Sequence, residues 1–293
     1  MKVIPICHYE PGWNFSYIIH ADNKEKCLLV DPGLSDKTLT FLKENPQYKV
    51  SHILITHKHD LHAGNLSHLV RALEEIYHKK LEVVSGRADA KFRRLCSTTI
   101  IVNEGEGASF EVENLKVTCI PAPCHTLGSL VYLIETREAL SGKENDLSFV
   151  KKNETICHRC IFTGDTHFVG GCGYFMEGNA RMMMRNIEML KSLPKDTFIF
   201  PGHEYTIRNL KWAMSIEWEN EAYEKKLKWA EEKRKNGEFT IPSMIEEEFE
   251  INIFWRTKLP ILKEKMKNED PVKVLSKLRE MKNKVMSLKR EAC

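Results

Sequence analysis

The sequence lacks several features that would assign it to other classes of protein. No apolar run reaches the roughly 18 residues that a membrane-spanning helix needs. The segment Met1–Ile6 lacks the long apolar stretch of a secretory signal peptide. The 44 lysines and arginines nearly balance the 41 aspartates and glutamates, and this balance does not favour nucleic-acid binding. We therefore expect a cytoplasmic protein without nucleic-acid or membrane partners.

The cysteines do not form a disulfide framework. There are nine of them, an odd number, and they are scattered through a chain of 293 residues. This usage favours a reducing compartment. Cys157 and Cys160 have the spacing of half a zinc site or of a redox motif, but no second pair accompanies them. We assign them no role from the sequence.

The first two-thirds of the chain alternates short apolar runs with helical patterns, which indicates a sheet-based α/β domain. From about Tyr205 the spacing of apolar residues becomes helical, first over Asn209 to Lys235 and again over Pro271 to Leu288. The polar segment Ser141 to Asn153 is predicted to be a surface loop. We expect a metal-binding domain over 1–203 and an α-helical, substrate-binding domain over 204–293.

Three histidines follow the apolar run Ile53-Leu54-Ile55 at the predicted end of a buried strand. They are His57, His59 and His62. Packing does not explain three imidazoles within six residues, and histidines on one loop can converge on one point. Since neutral imidazole is a ligand for zinc, iron and related metals, the cluster predicts a metal site.

Three later segments repeat this pattern of an apolar strand that ends in a ligand-bearing turn. They carry Cys124-His125-Thr126, Thr163-Gly164-Asp165 and Gly202-His203. Taken singly, each of these turns is more simply explained by capping or local hydrogen bonding. Their order and spacing together strengthen the prediction of a metal site.

This order of motifs resembles the metallo-β-lactamase superfamily, as does Asp31-Pro32-Gly33 after an early strand. Within the superfamily the chain most resembles the glyoxalase II, or hydroxyacylglutathione hydrolase, family. The motifs that carry this closer resemblance are Phe162-Thr163-Gly164-Asp165-Thr166, Gly171-Cys172-Gly173, Pro201-Gly202-His203-Glu204-Tyr205-Thr206, Asn209-Leu210-Lys211 and Ile241-Pro242-Ser243. The resemblance implies an αββα sandwich followed by a C-terminal α-helical domain.

The resemblance also implies roles for the candidate ligands. The first metal is held by His57, His59 and His125, and the second by His62 and His203, with Asp165 bridging both. His57, His59 and Asp165 are the residues implied in catalysis. Zinc, iron and manganese all accept these ligand types. A metal-activated water attacks a thioester, and the leaving thiol has a reference pKa of about 8.5, so it needs no separate acid.

One position departs from the family pattern His-x-His-x-Asp-His. Leu61 stands where the family has an aspartate ligand of the second metal, and Asp60 stands one place earlier. Leucine cannot coordinate a cation. We therefore predict one firmly bound metal and a second, weak one, unless the loop shifts enough for Asp60 to act as the missing ligand.

The residues implied in substrate binding are partly altered. Tyr205 matches the family tyrosine that holds glutathione, and Arg279 and Lys282 match a cationic pair that binds a carboxylate. From the residues alone, this pair would be a solvated helix face. Tyr174 and Met176 replace a basic residue and a tyrosine of the family. These changes predict reduced or redirected affinity for glutathione.

The favoured function is hydrolysis of S-(2-hydroxyacyl)glutathione, such as S-D-lactoylglutathione, by a monomer that acts in methylglyoxal detoxification. Two alternatives remain open. Leu61 favours a catalytically weak or non-enzymatic relative that binds a thiol. A complete first site alone is compatible with a mononuclear-iron persulfide dioxygenase, although the helical C-terminal region argues against it.

Overall fold

Two large β-sheets lie face to face at the centre of the computed structural model of the protein. It describes residues 1–8, 14–21, 24–33, 35–142, 145 and 154–291. One hydrophobic core fills the space between the sheets, where the ring of Tyr17 from one sheet lies 5.1 Å from that of Phe162 in the other. The predicted surface loop at 141–153 lies outside the described residues, apart from 141, 142 and 145.

The described part of the chain contains fifteen strands, each two to seven residues long. They are β1 Lys2–Cys7, β2 Phe15–His20, β3 Lys26–Val30, β4 Lys49–Leu54, β5 Glu82–Gly86, β6 Ile100–Val102, β7 Ala108–Val112, β8 Leu115–Pro121, β9 Leu130–Thr136, β10 Thr155–Ile156, β11 Arg159–Gly164, β12 His167–Phe168, β13 Gly171–Cys172, β14 Phe198–Pro201 and β15 Ser243–Met244.

The strands form two mixed sheets and a small hairpin within the described part of the chain. The first sheet has the order β10-β1-β2-β3-β4-β5-β6, and β3 to β6 run parallel. The second has the order β15-β14-β11-β9-β8-β7, in which β11 and β14 are the parallel pair. The short strands β12 and β13 pair with each other. Parallel strands present their carboxyl ends at one edge, which is where the ligand-bearing turns begin.

The helices cover the outer faces of the sheets and make up most of the C-terminal region. They are α1 Ser35–Glu44, α2 Asp60–Ala63, α3 Leu66–Tyr77, α4 Arg87–Ala90, α5 Arg137–Leu140, α6 Ala180–Lys191, α7 Thr206–Met214, α8 Glu221–Lys235, α9 Ile245–Ile251, α10 Pro260–Lys265 and α11 Pro271–Glu291, with 3₁₀ turns at Arg93–Leu95 and Ile253–Trp255. None of the helices in the described ranges combines the length and apolar character that crossing a bilayer requires.

The first sheet is buried on both faces. Along β3, Leu28 and Val30 belong to the core between the sheets, whereas Cys27 and Leu29 belong to a second core beneath α1 and α3. Burial on both faces explains why these strands read as continuous apolar runs rather than as alternating ones. The layers are helix, sheet, sheet, helix, and the predicted αββα sandwich is confirmed.

The C-terminal helices pack on the sandwich and share its central core. Leu210 of α7, Tyr223 of α8 and Leu278 of α11 are wholly buried in that core. The predicted helical C-terminal region is confirmed. The single helix predicted over Asn209 to Lys235 was wrong, because the chain leaves the helix after Met214 and restarts at Glu221. The boundary of the two domains at residues 203 and 204 stays a prediction.

Candidate metal centre and substrate cavity

The loop after β4 presents the first three histidines, and Asp31 at the end of β3 holds that loop. The carboxylate of Asp31 accepts hydrogen bonds from the backbone N–H of Thr56 at 2.7 Å and from its hydroxyl at 2.6 Å. Its oxygen Oδ2 also lies 2.7 Å from Nδ1 of His62. Asp31 has a φ of +46°, an uncommon conformation for a residue other than glycine. The buried carboxylate thus joins two neighbouring strands at the edge where the ligands converge.

The first group of converging ligand atoms consists of His57, His59 and His125, whose ring nitrogens all lie within 4.8 Å of one another. Nδ1 of His59 is 3.0 Å from Nε2 of His125. Oδ2 of Asp165 lies 3.5 Å from that same Nε2. Three imidazole nitrogens therefore converge, and a carboxylate oxygen of Asp165 lies beside that of His125.

The second group shares His57 with the first and adds His62 and Asp165. The candidate ligand atoms of His57, His62 and Asp165 lie within 4.8 Å of one another. Oδ1 of Asp165 is 3.3 Å from Nε2 of His62 and 3.3 Å from Nε2 of His203. The two histidine nitrogens are themselves 3.3 Å apart. With His57 assigned to the first group, the second group offers the imidazoles of His62 and His203 and the oxygen Oδ1 of Asp165.

The residues present fit a divalent cation. Nε2 of His57 and Oδ1 of Asp165 are buried and have no hydrogen-bond partner among the described residues, although both lie inside the cluster. Outer contacts fix the ring orientations, since Nδ1 of His125 donates to the carbonyl of Tyr174 at 3.0 Å and Nδ1 of His62 faces Asp31. Such contacts leave Nε2 of both rings available as a ligand. The nitrogen and oxygen donor set binds divalent metals.

The protonation states in the cluster favour a cation at the first group more than at the second, where His62 must lose a proton before it can coordinate. Burial, with the neighbouring His62, lowers the pKa of His57 well below its usual range, and burial and His125 lower that of His59. Burial alone would lower the pKa of His62, but Asp31 and Asp165 raise it to about 10. Burial opposes ionisation of Asp165, yet His203 and His62 hold its pKa well below the usual value. His57 and His59 are therefore neutral, and Asp165 is ionised, at neutral pH.

Two glycines allow the ligand turns to approach one another closely. Gly164 has a φ of +48°, and a Cβ there would overlap the side chain of Thr56. A Cβ on Gly202 would lie 2.6 Å from the ring of His62 and 2.8 Å from Oδ1 of Asp165. Larger residues at these two positions would push apart the loops that carry Asp165 and His62.

Asp60 is not brought into the cluster. Its carboxylate lies 2.5 Å from the guanidinium of Arg94, and its side chain is 72% exposed. Leu61 lines the cavity beside the second group, is 36% exposed and offers no ligand atom. With His57 counted in the first group, the second group has three protein ligand atoms, and among the described residues Asp60 makes no contact that would supply a fourth.

A cavity of about 850 Å³ opens directly from the metal cluster. All five residues predicted to contact substrate line it. They are Tyr174, Met176, Tyr205, Arg279 and Lys282. Met176 lies in an exposed position, whereas Arg279 and Lys282 are buried. Arg279 and Lys282 are thus not a solvated helix face, because α11 turns them into the cavity.

Local contacts hold the cationic pair in place. Arg279 donates to the carbonyl of Cys172 at 2.9 Å, and its guanidinium carbon lies 4.8 Å from the ring centroid of Tyr174. The ammonium of Lys282 donates to Oδ1 of Asn209 at 2.5 Å. Burial and the charge of Arg279 lower the pKa of Lys282 well below 10.5. An anion bound in this cavity would offset both the burial of the Lys282 ammonium and its repulsion by Arg279.

Two family models match the sequence of this chain. The metallo-beta-lactamase superfamily matches residues 11–137, and the hydroxyacylglutathione hydrolase C-terminus matches residues 204–285. A protein of Arabidopsis thaliana named hydroxyacylglutathione hydrolase cytoplasmic is 32% identical over 92% of this chain and 94% of its own length. The chain belongs to the hydroxyacylglutathione hydrolase family. The resemblance seen in the sequence motifs is confirmed.

Two further comparisons agree with this family membership. The hydroxyacylglutathione hydrolase of Dictyostelium discoideum is 32% identical over 97% of this chain and 100% of its own length. The crystal structure of ETHE1 from Myxococcus xanthus has a TM-score of 0.60 at 20% identity, covering 96% of this chain and 90% of the other. At that identity, the structural similarity establishes the fold alone.

This family member also has supporting residues that the sequence analysis did not single out. Lys58 lies between two ligand histidines, and its ammonium lies 2.5 Å from a carboxylate oxygen of Glu177. The other oxygen of Glu177 accepts the backbone N–H of Leu127 at 2.8 Å, which ties the His125 turn to the loop after His57. Asp89 accepts the backbone N–H of Lys58 at 2.8 Å. No spacing in the sequence signals these contacts, because they join segments far apart in the chain.

Proposed function

We propose that this protein hydrolyses S-(2-hydroxyacyl)glutathione thioesters, such as S-D-lactoylglutathione, to a hydroxy acid and free glutathione. One observation carries the proposal: a single cavity joins the histidine and aspartate cluster to a cationic wall. His59, His125 and Asp165 line one part of it, and Arg279 and Lys282 line another. The arrangement suits a substrate with a reactive acyl group at one end and carboxylates at the other.

The ligand roles follow from the two groups of converging atoms. His57, His59 and His125 would hold the first cation with Asp165, and His62 and His203 would hold the second with the same residue. Asp31 and the carbonyl of Tyr174 keep two of these rings in position. When bound, a divalent cation supplies Lewis-acid polarisation of the carbonyl and lowers the pKa of a water to about 7. Zinc fits these ligands, as do iron and manganese.

The chain's own residues supply orientation rather than a separate acid. The leaving group is a thiolate, whose reference pKa of about 8.5 lets it depart without protonation by a side chain. The described residues that line the cavity offer Tyr205, Arg279 and Lys282 as contacts for the thiol half of the substrate. Tyr174 and Met176 complete the wall. In this proposal, residues 204–293 form the substrate-binding domain.

The number of bound metals, the cellular location and the oligomeric state are also part of the proposal. The first group has four ligand atoms and the second three, which supports one firmly bound metal and a weaker second one. A relative's name includes the word cytoplasmic, which supports a cytoplasmic location. The proposed role in methylglyoxal detoxification rests on the proposed substrate, S-D-lactoylglutathione. We propose that the protein acts as a monomer, since the cavity is complete within one chain.

The decisive experiment is the initial rate of S-D-lactoylglutathione hydrolysis by purified, metal-replete protein, with His59→Ala as the control. Turnover of about 10 per second, typical of enzymes, is expected for the wild type and should be absent from the variant. A wild-type rate no higher than that of His59→Ala would refute the proposal. The second candidate would then stand, namely a catalytically weak relative whose second metal group Leu61 leaves incomplete.

A further inference from the structure

Two further cations line the cavity beyond the two already assigned to substrate, Arg208 and the exposed Lys284. Arg208 on α7 lines the same cavity as Arg279 and Lys282 on α11. Among the residues that the structure describes, no carboxylate lies within ion-pairing distance of Arg208 or Lys282. Two cations that lie in one cavity without an ion-pairing carboxylate, as Arg208 and Lys282 do among the described residues, favour an anionic ligand.

Stacking contacts hold Arg208 in a defined place. Its guanidinium carbon lies 4.0 Å from the ring centroid of Tyr205. The ring of Tyr205 in turn stacks on that of His203, with centroids 4.8 Å apart and planes inclined by 8°. The three side chains therefore form a continuous row of contacts from the candidate metal ligand His203 to the guanidinium of Arg208. A guanidinium has five N–H donors, so its contact with the Tyr205 ring still leaves donors that can bind a carboxylate through two hydrogen bonds.

Arg208, Arg279 and Lys282 are close enough to affect one another. Burial is the main reason that the pKa values of Arg279 and Lys282 are lowered, and the positive charge of Arg208 lowers both further. This repulsion has a free-energy cost in the ligand-free cavity. A bound ligand with one negative charge would relieve part of it, and a ligand with two would relieve more.

We propose that Arg208 is a specificity-determining residue, and that it binds a second carboxylate of a substrate whose thiol half carries at least two. The first carboxylate lies between Arg279 and Lys282. This inference rests on the proposed function, because it assumes that the acyl end of the substrate lies at the metal cluster. A thiol with a single carboxylate, or with none, would leave Arg208 unused.

The test is a binding measurement that does not depend on hydrolysis. Isothermal titration calorimetry of metal-loaded protein would compare S-hexylglutathione, which carries two carboxylates, with its diethyl ester, which carries none. Arg208→Gln should weaken binding of the diacid about three- to tenfold and leave binding of the diester unchanged. Arg208→Lys, which keeps the charge but not the planar donors, should recover part of the loss.

A matched control lies on the same helix. Lys211 of α7 pairs with Glu231 at 2.7 Å and does not line the cavity. Lys211→Gln therefore removes the same charge from the same element and should leave the affinity for the diacid unchanged. Equal affinity of Arg208→Gln and wild type for the diacid would overturn the inference, as would an equal loss for diacid and diester.

Failure of the proposed function would be recognised separately. If the wild type does not hydrolyse S-D-lactoylglutathione, the proposed activity is refuted, whereas the difference between diacid and diester still measures the contribution of Arg208. If the wild type hydrolyses the thioester but binds diacid and diester equally well, the activity stands and the role of Arg208 is refuted.

Discussion

Leu61 is the residue that most sharply distinguishes this chain from the motif of its family. It lies between Asp60, which pairs with Arg94, and the ligand His62. A side chain without a ligand atom here leaves the second metal group with three protein donors. The adjoining first group does not depend on this position.

Leu61→Asp should therefore strengthen binding of the second metal. Loss of even an outer contact to a ligand typically costs 10- to 100-fold in affinity, so restoring a ligand should gain about tenfold or more. The measurement is metal content per chain after dialysis, expected to rise from about one to about two. Leu61→Ala is the control, since it opens the same space without a ligand atom. Two tightly held metals in the wild type would contradict this prediction.

The protonation of Lys282 should make substrate affinity depend on pH. Its ammonium must be charged to bind a carboxylate, and burial and the charges of Arg279 and Arg208 lower its pKa well below 10.5, although the neighbouring Cys172 acts in the opposite direction. Affinity is therefore full at pH values below the lowered pKa and is lost as the pH rises through it. The loss should begin well before pH 10.5, the ordinary value for lysine.

The dissociation constant of S-hexylglutathione, measured from pH 6 to pH 10, would show this loss. Lys282→Arg keeps its charge throughout this range, so its affinity should stay nearly constant. The variant also corrects for titration at the metal cluster, which both proteins share. Identical pH profiles for wild type and variant would rule out Lys282 as the titrating group.

At the scale of single residues, the sequence predicted the candidate metal ligands better than the residues that hold them in position. The histidines and Asp165 each follow an apolar strand, so their convergence could be expected from the pattern. Arg208 and Asp31 could not be assigned in the same way. Their roles depend on contacts with side chains from distant segments of the chain. The local spacing of residues does not indicate such contacts.

Helix α9 shows how one element ties the C-terminal region to the sandwich. Its residue Glu248 is wholly buried and accepts hydrogen bonds from the backbone N–H of Gly170 at 3.1 Å and from Asn252 at 2.8 Å. The same oxygen lies 3.2 Å from Nε2 of His167. His167 follows Asp165 by two residues, so this contact supports the turn that carries the shared ligand.

Glu248→Ala should destabilise the protein by about 3 kcal/mol, because it leaves buried donors without an acceptor. Urea unfolding followed by circular dichroism would measure the change. Glu246→Ala is the matched control on the same helix, where the side chain is exposed, and it should change the free energy of unfolding by no more than about 0.5 kcal/mol. Equal stability of the two variants would show that the buried contacts contribute little.

The break between α7 and α8 explains the one helix that was wrongly predicted. Apolar spacing continues through 215–220, so periodicity alone favours an uninterrupted helix. The structure restarts the helix at Asn220, whose side chain accepts the backbone N–H of Ala222 at 3.1 Å. Glu217 in the break pairs with Arg256 at 2.8 Å. That partner lies 39 residues away, which is why the break could not be read from the local sequence.

For the whole molecule, metal binding should contribute a large part of the free energy of unfolding. The ligands come from four separate turns, so the cluster forms only when the two sheets are assembled. Free metal at about 1,000 times its dissociation constant would stabilise the folded state by about 4 kcal/mol. The melting temperature should rise by about 5–10 °C on metal addition and fall again with a chelator. Differential scanning calorimetry of wild type and His57→Ala would check this, and an equal rise in both would contradict it.

The cavity wall is assembled from two distant stretches of one chain. In the proposed function, the turns of the sandwich would surround the carbonyl to be cleaved, while α7 and α11 would contact the thiol that carries it. Chemistry and selectivity can therefore change separately. A new pattern of charges along these two helices would let the same hydrolytic machinery accept a different carrier thiol, without altering a single coordinating residue.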